Sequence, residues 1–234
     1  MATFVIAHGA WSSGWAWKKM RPLMRELGHE LFTPSYTGQG ERVHLAHPGI
    51  DLDTHIADML NLLRFEDLQE VILLGHSYGG MVATGVADRA GERIAQVVYL
   101  DAFVPRHGQS VLSLHSEEAR ARVQETARTH GDGWRVPANP MPPDTDKEDV
   151  DWATPKRVMQ PLQTFAQAIV LTGAAAALPK AYIYCTRSGP GDVFRQFAGR
   201  AKTEPGWTYF EMDASHNPHI TVPQELMRIL QSLA

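Results

Sequence analysis

The chain has 234 residues and one cysteine, Cys185, so an internal disulfide is excluded. A lone thiol inside an apolar run is expected as inert core. The scarcity of cysteine points to a reducing compartment, here the cytoplasm. No basic block stands out: 22 Lys and Arg face 26 Asp and Glu, for a net charge of −4. That balance argues against nucleic acid or an anionic membrane as the main partner. No apolar run reaches membrane-spanning length, and the longest mild candidate, Ala166 to Leu178, contains Thr172 and Gly173. The opening stretch MATFVIAHGAW has no basic leader and too short an apolar run for a signal peptide. Internal repeats and low-complexity tracts are also missing. With 44% hydrophobic residues, one compact domain carrying an insertion is expected.

What the chain does have is alternation of short apolar runs with helix-like periods. Strands are expected at Thr3–Ala7, Glu30–Thr33, Val71–Leu74, Ile94–Leu100, Ala181–Tyr184 and Trp207–Met212. Helices are expected at Trp15–Leu27, Asp53–Arg64, Gly79–Arg89, Val193–Ala201 and Pro223–Leu233. Strands apolar on both faces and separated by helices imply a parallel sheet covered on both sides. The pattern lapses between Pro105 and Pro179, too long a stretch for a structureless loop. It holds helix-like stretches at Glu117–Arg128 and Lys156–Leu171 around the Pro-rich turn region VPANPMPPDTDKEDVDW. The expected organisation is an α/β core over 1–104 and 180–234, with a helical cap over 105–179 inserted in it.

The run VILLGHSYGG ends a strand on a serine with glycine two residues before and two after. G-x-S-x-G arises by chance in roughly one chain in ten of this length, given glycine and serine near 7% each. Its context carries more weight. A strand before and a helix after are what a nucleophile elbow requires, with Ser77 held on a sharp turn. Gly75 and Gly79 fit that geometry because a Cβ at either would crowd the turn. The helix that follows points free N–H groups at a developing anion.

A serine nucleophile needs a base. Of 11 histidines, His216 stands after the last strand and before the final helix, where such a sheet carries its base. His219 is a rival placed where the helix should begin. His8 and His76 are expected to support loops, and His44, His47, His55, His107, His115 and His130 to lie in loops, in the cap or at the surface. Two carboxylates could orient the base. Asp101 ends the strand of YLDAFVP and is preferred; Asp192, in a Gly-Pro-Gly turn, is the rival. For an oxyanion hole, the backbone N–H groups of Tyr78 and of Ala10, in HGAW after the first strand, are the candidates.

These segments resemble the α/β-hydrolase superfamily. FVIAHGAWSSGWAW, TGQGERVHL, DLDTHIADML, GHSYGGMVA, YLDAFVP, YIYCT and ASHNPH narrow the resemblance to the plant methylesterase and hydroxynitrile lyase group and its bacterial carboxylesterase relatives. It implies the α/β-hydrolase fold, the Ser77–His216 pair, the Ala10 and Tyr78 oxyanion hole, a helical cap and no cofactor or metal. Two departures stand out. Ser188 occupies the place of the plant enzymes' triad aspartate. Gly9 and Asn217 stand where the lyases carry threonine and lysine, which disfavours cyanohydrin cleavage. The expected activity is hydrolysis of a small, mostly apolar carboxylic ester through an acyl-enzyme, with Phe103 and Trp152 among the substrate contacts. A lyase or C–C bond hydrolase on the same fold and a non-catalytic small-ligand receptor are the alternatives. The expected partner is a small ester, with no nucleic acid and no membrane; a homodimer is the assembly left open.

Overall fold

A computed structural model describes residues 1–189 and 191–234. Pro190, part of the expected turn before Asp192, lies outside the described residues.

The first strand, β1 (Thr3–Ala7), sends Phe4 and Ile6 to one face and Val5 and Ala7 to the other, and all four are fully buried. A strand can bury both faces only inside a sheet covered on both sides. Its neighbours are β2 (Glu30–Phe32) and β3 (Val71–His76), and the sheet continues through β4 (Ile94–Leu100). Between β4 and the next sheet strand, two short strands, β5 (Arg135–Val136) and β6 (Gln160–Pro161), pair as a separate antiparallel ribbon. β7 (Lys180–Cys185) and β8 (Trp207–Met212) complete a six-stranded sheet among the described residues, in the order β2-β1-β3-β4-β7-β8. Every pairing in it is parallel.

On the Val5 face lie α2 (Leu52–Phe65), α3 (Gly79–Arg89) and α8 (Arg195–Thr203). On the Phe4 face lie α1 (Met20–Glu26) and α10 (Pro223–Gln231). α2 begins where a capping box fixes it: Asp51 accepts the Thr54 N–H at 2.9 Å, and the Thr54 hydroxyl reaches back to the Asp51 N–H. The first helix starts later than the periodicity predicts. Gly14–Trp17 is a 3₁₀ turn and α1 begins only at Met20. Pro22 has no N–H and is tolerated only in a first helical turn, so a helix running through from Trp15 is excluded.

The 105–179 segment departs furthest from expectation. It contains α4 (Val111–Leu114), α5 (Glu117–His130), α6 (Lys147–Ala153) and α7 (Gln163–Ala166). The helix predicted over Lys156–Leu171 shrinks to α7, because Pro161 forces Gln160 toward an extended conformation. Gln160 and Pro161 form β6 instead. The Pro-rich turn region in turn supplies α6, which Lys19 ties to the core by bonds to Asp149 Oδ1 at 2.6 Å and the Ile220 carbonyl at 2.9 Å. α9 (Pro218–Thr221) precedes α10. Among the described residues, no helix is long and apolar enough to cross a membrane.

Candidate active site

β3 delivers Ser77 to the C-terminal edge of the sheet with φ of 55°, a left-handed conformation that a non-glycine residue adopts at a cost. The neighbours hold it there. The Ser77 N–H donates to the Leu100 carbonyl at 3.2 Å, and the Phe103 N–H donates to the Ser77 carbonyl at 3.1 Å. The turn admits no side chain behind it: a Cβ on Gly79 would stand 1.9 Å from the Ala7 carbonyl oxygen. The glycines of the elbow are therefore required by close backbone approach.

His216 lies between β8 and α9, its Nε2 2.9 Å from Ser77 Oγ. Its Nδ1 is 2.6 Å from Asp101 Oδ2. A carboxylate can only accept, so Nδ1 carries the proton and Nε2 is left as the acceptor facing the serine hydroxyl. The imidazole stacks on Phe194 at 4.9 Å with rings 12° apart. Its backbone is fixed by His76 Nε2–H, which donates to the His216 carbonyl at 2.7 Å.

Asp101 ends β4 with φ of 41° and is 3% exposed. Its N–H donates to the Ile183 carbonyl at 2.8 Å, and Tyr182 Oη bridges the Ala102 N–H and carbonyl on the adjoining residue. Burial pushes the Asp101 carboxyl up, and the hydrogen bond from His216 opposes that push. Asp192 stands elsewhere. Its Oδ2 accepts from Tyr184 Oη at 2.7 Å and its Oδ1 from the Phe194 N–H at 2.8 Å. The structure thus brings Ser77, His216 and Asp101 into one hydrogen-bonded line and leaves Asp192 shaping the turn ahead of α8.

The other histidines divide differently from expectation. His219 stacks on Trp17 at 4.5 Å, and burial lowers its pKa to about 3. His55, expected at the surface, is fully buried on α2. There its Nε2–H donates to the Thr37 carbonyl at 3.1 Å and its Nδ1 accepts from Tyr78 Oη at 3.0 Å. A helix that places Ile56 and Met59 in the core also carries His55 inward, and the two bonds make its burial tolerable.

A cavity of about 430 Å³ opens over Ser77. Ala10, Tyr78 and Phe103 line it, as do Asn217 and Phe165. The Ala10 and Tyr78 backbone N–H groups have no protein acceptor among the described residues. Trp152, expected against substrate, does not line the cavity. It packs edge-on to Trp15 at 5.3 Å, and Trp15 forms the wall in its place. Trp11, Phe194 and Arg157 are among the lining residues that the sequence did not single out. Trp11 was legible in principle, being next to Ala10 in HGAW. It has φ of 58°, and its indole N–H donates to the Val136 carbonyl at 2.8 Å. Nothing in the local sequence marks Phe194 or Arg157. Among the described residues, no group of His, Cys, Asp and Glu is arranged to hold a metal ion.

With this geometry in view, the relationships of the chain are informative. The model of the alpha/beta hydrolase family matches residues 4–229. The chain belongs to that family. It is 37% identical over 247 aligned residues, covering both chains fully, to a carbendazim hydrolyzing esterase of a Nocardioides species. It is 26% identical over 244 residues, 97% of this chain and 92% of the relative, to the pFDCC methylesterase MES16 of Arabidopsis thaliana. Among solved structures, an extracellular alpha/beta-hydrolase from a Paenibacillus species superposes with a TM-score of 0.88 at 22% identity, over 99% of this chain and 98% of that one. At that identity the likeness concerns the fold, and this family member shares it almost end to end.

Proposed function

We propose that this α/β-hydrolase is a serine carboxylesterase acting on small, mostly apolar esters. The observation that supports the reading is the line Asp101–His216–Ser77, with contacts of 2.6 and 2.9 Å, beside two unengaged backbone N–H groups. His216 Nε2 takes the Ser77 proton as Oγ attacks the ester carbonyl. The Ala10 and Tyr78 N–H groups receive the oxyanion, each such donor being worth about 3 kcal/mol in the transition state. Asp101 stabilises the imidazolium. His216 then protonates the departing alcohol, water enters, and the same transfers in reverse order release the acid and restore Ser77. The 105–179 segment serves as the cap: its Val111, Val123, Val136, Met141 and Phe165 supply much of the apolar wall. The esterases and methylesterases among the relatives support ester chemistry over the lyase and receptor alternatives. The cytoplasmic location remains part of the proposal and is tested by cell fractionation.

The test combines covalent labelling by a fluorophosphonate probe with turnover of p-nitrophenyl acetate. Mass addition on the peptide carrying Ser77, lost in Ser77→Ala together with turnover, is expected. Labelling of another residue, or turnover that survives the substitution, refutes the reading.

A further inference from the structure

Arg157 is the only Arg or Lys among the described residues that line the cavity, and no Asp or Glu lines it. The guanidinium is half-buried and lies over the Trp11 ring at 5.7 Å, with one N–H donated to the Asn139 carbonyl. Several arginines on this chain face carboxylates, as Arg187 faces Asp213 and Arg42 faces Asp58, and Arg93, away from the cavity, is held by the Leu63 and Leu68 carbonyls. Arg157 has no such partner among the described residues, and burial alone acts on it, holding it below the usual arginine range. Arginine stays protonated even so. A cation drawn partly out of water beside apolar walls, with most of its donor fork unused, is costly unless an anion completes it.

Its position suits a substrate group. Trp11 follows Ala10 directly in the chain, the guanidinium lies over its ring, and all three residues line the same cavity. An ester whose carbonyl meets the Ala10 N–H can extend along the Trp11 face toward Arg157. The planar fork matches a carboxylate with two parallel bonds.

We propose that Arg157 is a specificity residue that receives a carboxylate on the substrate, so that the preferred esters are half-esters of dicarboxylic acids. This rests on the esterase reading and adds the charge of the substrate to it. The half-buried setting lets the carboxylate keep part of its hydration while the ester end enters the apolar cavity.

The experiment measures kcat/KM by methanol release for monomethyl succinate, glutarate and adipate, each against the methyl alkanoate of the same chain length. Wild-type enzyme is expected to favour at least one half-ester over its neutral match. Arg157→Gln should lower that ratio by about 10- to 100-fold, the value of hydrogen bonds to a charged group, with Arg157→Lys in between. Added salt should lower the wild-type ratio, a readout that needs no variant. A wild-type enzyme that turns over neutral esters without favouring any half-ester overturns this inference alone. So does a ratio unchanged in Arg157→Gln, which would make Arg157 a prop for Trp11. Failure to turn over any of these methyl esters, with p-nitrophenyl acetate still hydrolysed, also overturns this inference alone; the esterase reading falls with it only if p-nitrophenyl acetate is not hydrolysed either.

Discussion

Lowering the pH from 7 to 5 should destabilise this protein severely, because four histidines are buried in the neutral form. His8, His55, His76 and His219 are 1%, 0%, 4% and 1% exposed. Burial lowers the pKa of His8 to about 4 and those of His55 and His219 to about 3, and holds that of His76 well below its usual value. An unfolded chain titrates them near 6.5. Below that pH the unfolded state binds protons that the folded state refuses. The stability is therefore present above about pH 6.5 and is lost as the pH falls toward the folded values. Between pH 7 and 5 His8, His55 and His219 each contribute about 2 kcal/mol of loss, about 6 kcal/mol together, and His76 adds to it in the same sense. Typical total stability is about 5–15 kcal/mol. Asp101, whose carboxyl is pushed up, acts in the opposite sense and offsets a small part of this. The expected fall in Tm is on the order of 15–25 °C for a chain of this size. Thermal melts followed by circular dichroism at pH 7, 6 and 5 measure it. His219→Phe, which keeps the stack on Trp17, should reduce proton uptake on unfolding from about four toward three. A Tm that stays within a few degrees from pH 7 to pH 5 would refute the reasoning.

Asp101→Asn offers His216 an amide in place of a carboxylate and favours the wrong tautomer; kcat for p-nitrophenyl acetate should fall by about 10⁴-fold. Asp192→Asn, which touches Tyr184 and not His216, should cost less than about tenfold in kcat, and a larger loss there than at Asp101 would reverse the assignment. His216→Ala should match Ser77→Ala in severity, with kcat down by roughly a millionfold in steady-state assays, while His219→Ala should affect stability more than kcat. Gly9→Thr, which would bring the lyases' residue into the site, places a Cβ 2.9 Å from His76 Nδ1. His76 must then shift, and with it the His216 carbonyl that it holds, so the single variant should lose ester turnover. Added Asn217→Lys should not yield cyanide from mandelonitrile, which a cyanide electrode would check.

The central strands were legible because they are apolar on both faces and bounded by glycine, proline or charge. Val71–Leu74, which the structure extends to His76, and Ile94–Leu100 needed no tertiary information. The elbow was legible because Gly75, Ser77 and Gly79 have a steric reason to stand together. The carboxylate that meets His216 was only half legible. Asp101 and Asp192 both follow strands, and the choice between them depends on which side chain meets His216 across the sheet edge. That is decided by Tyr182 clamping Ala102 and Tyr184 engaging Asp192, contacts between residues distant in sequence or aimed across a turn. Lys156–Leu171 is not one helix because Pro161 interrupts it, and the backbone obeys the proline. Trp152 misled because an aromatic in an insertion looks like a substrate contact until its neighbour Trp15 is seen to stand in front of it.

Ser77, Asp101 and Trp11 all sit at positive φ beyond the strand ends, whereas Val111, Val123, Met141 and Phe165 come from residues 105–179. Drift and selection act differently on the two groups. At the strand ends, backbone and side chain are constrained together, and few replacements keep both. Within 105–179, a change of size or polarity alters the shape of the chamber while the hydrogen-bonded line Ser77–His216–Asp101 stays where the sheet holds it. A lineage can therefore exchange one ester for another by substitutions confined to 105–179. A laboratory library aimed at new substrates belongs in that segment, with the sheet edge left alone.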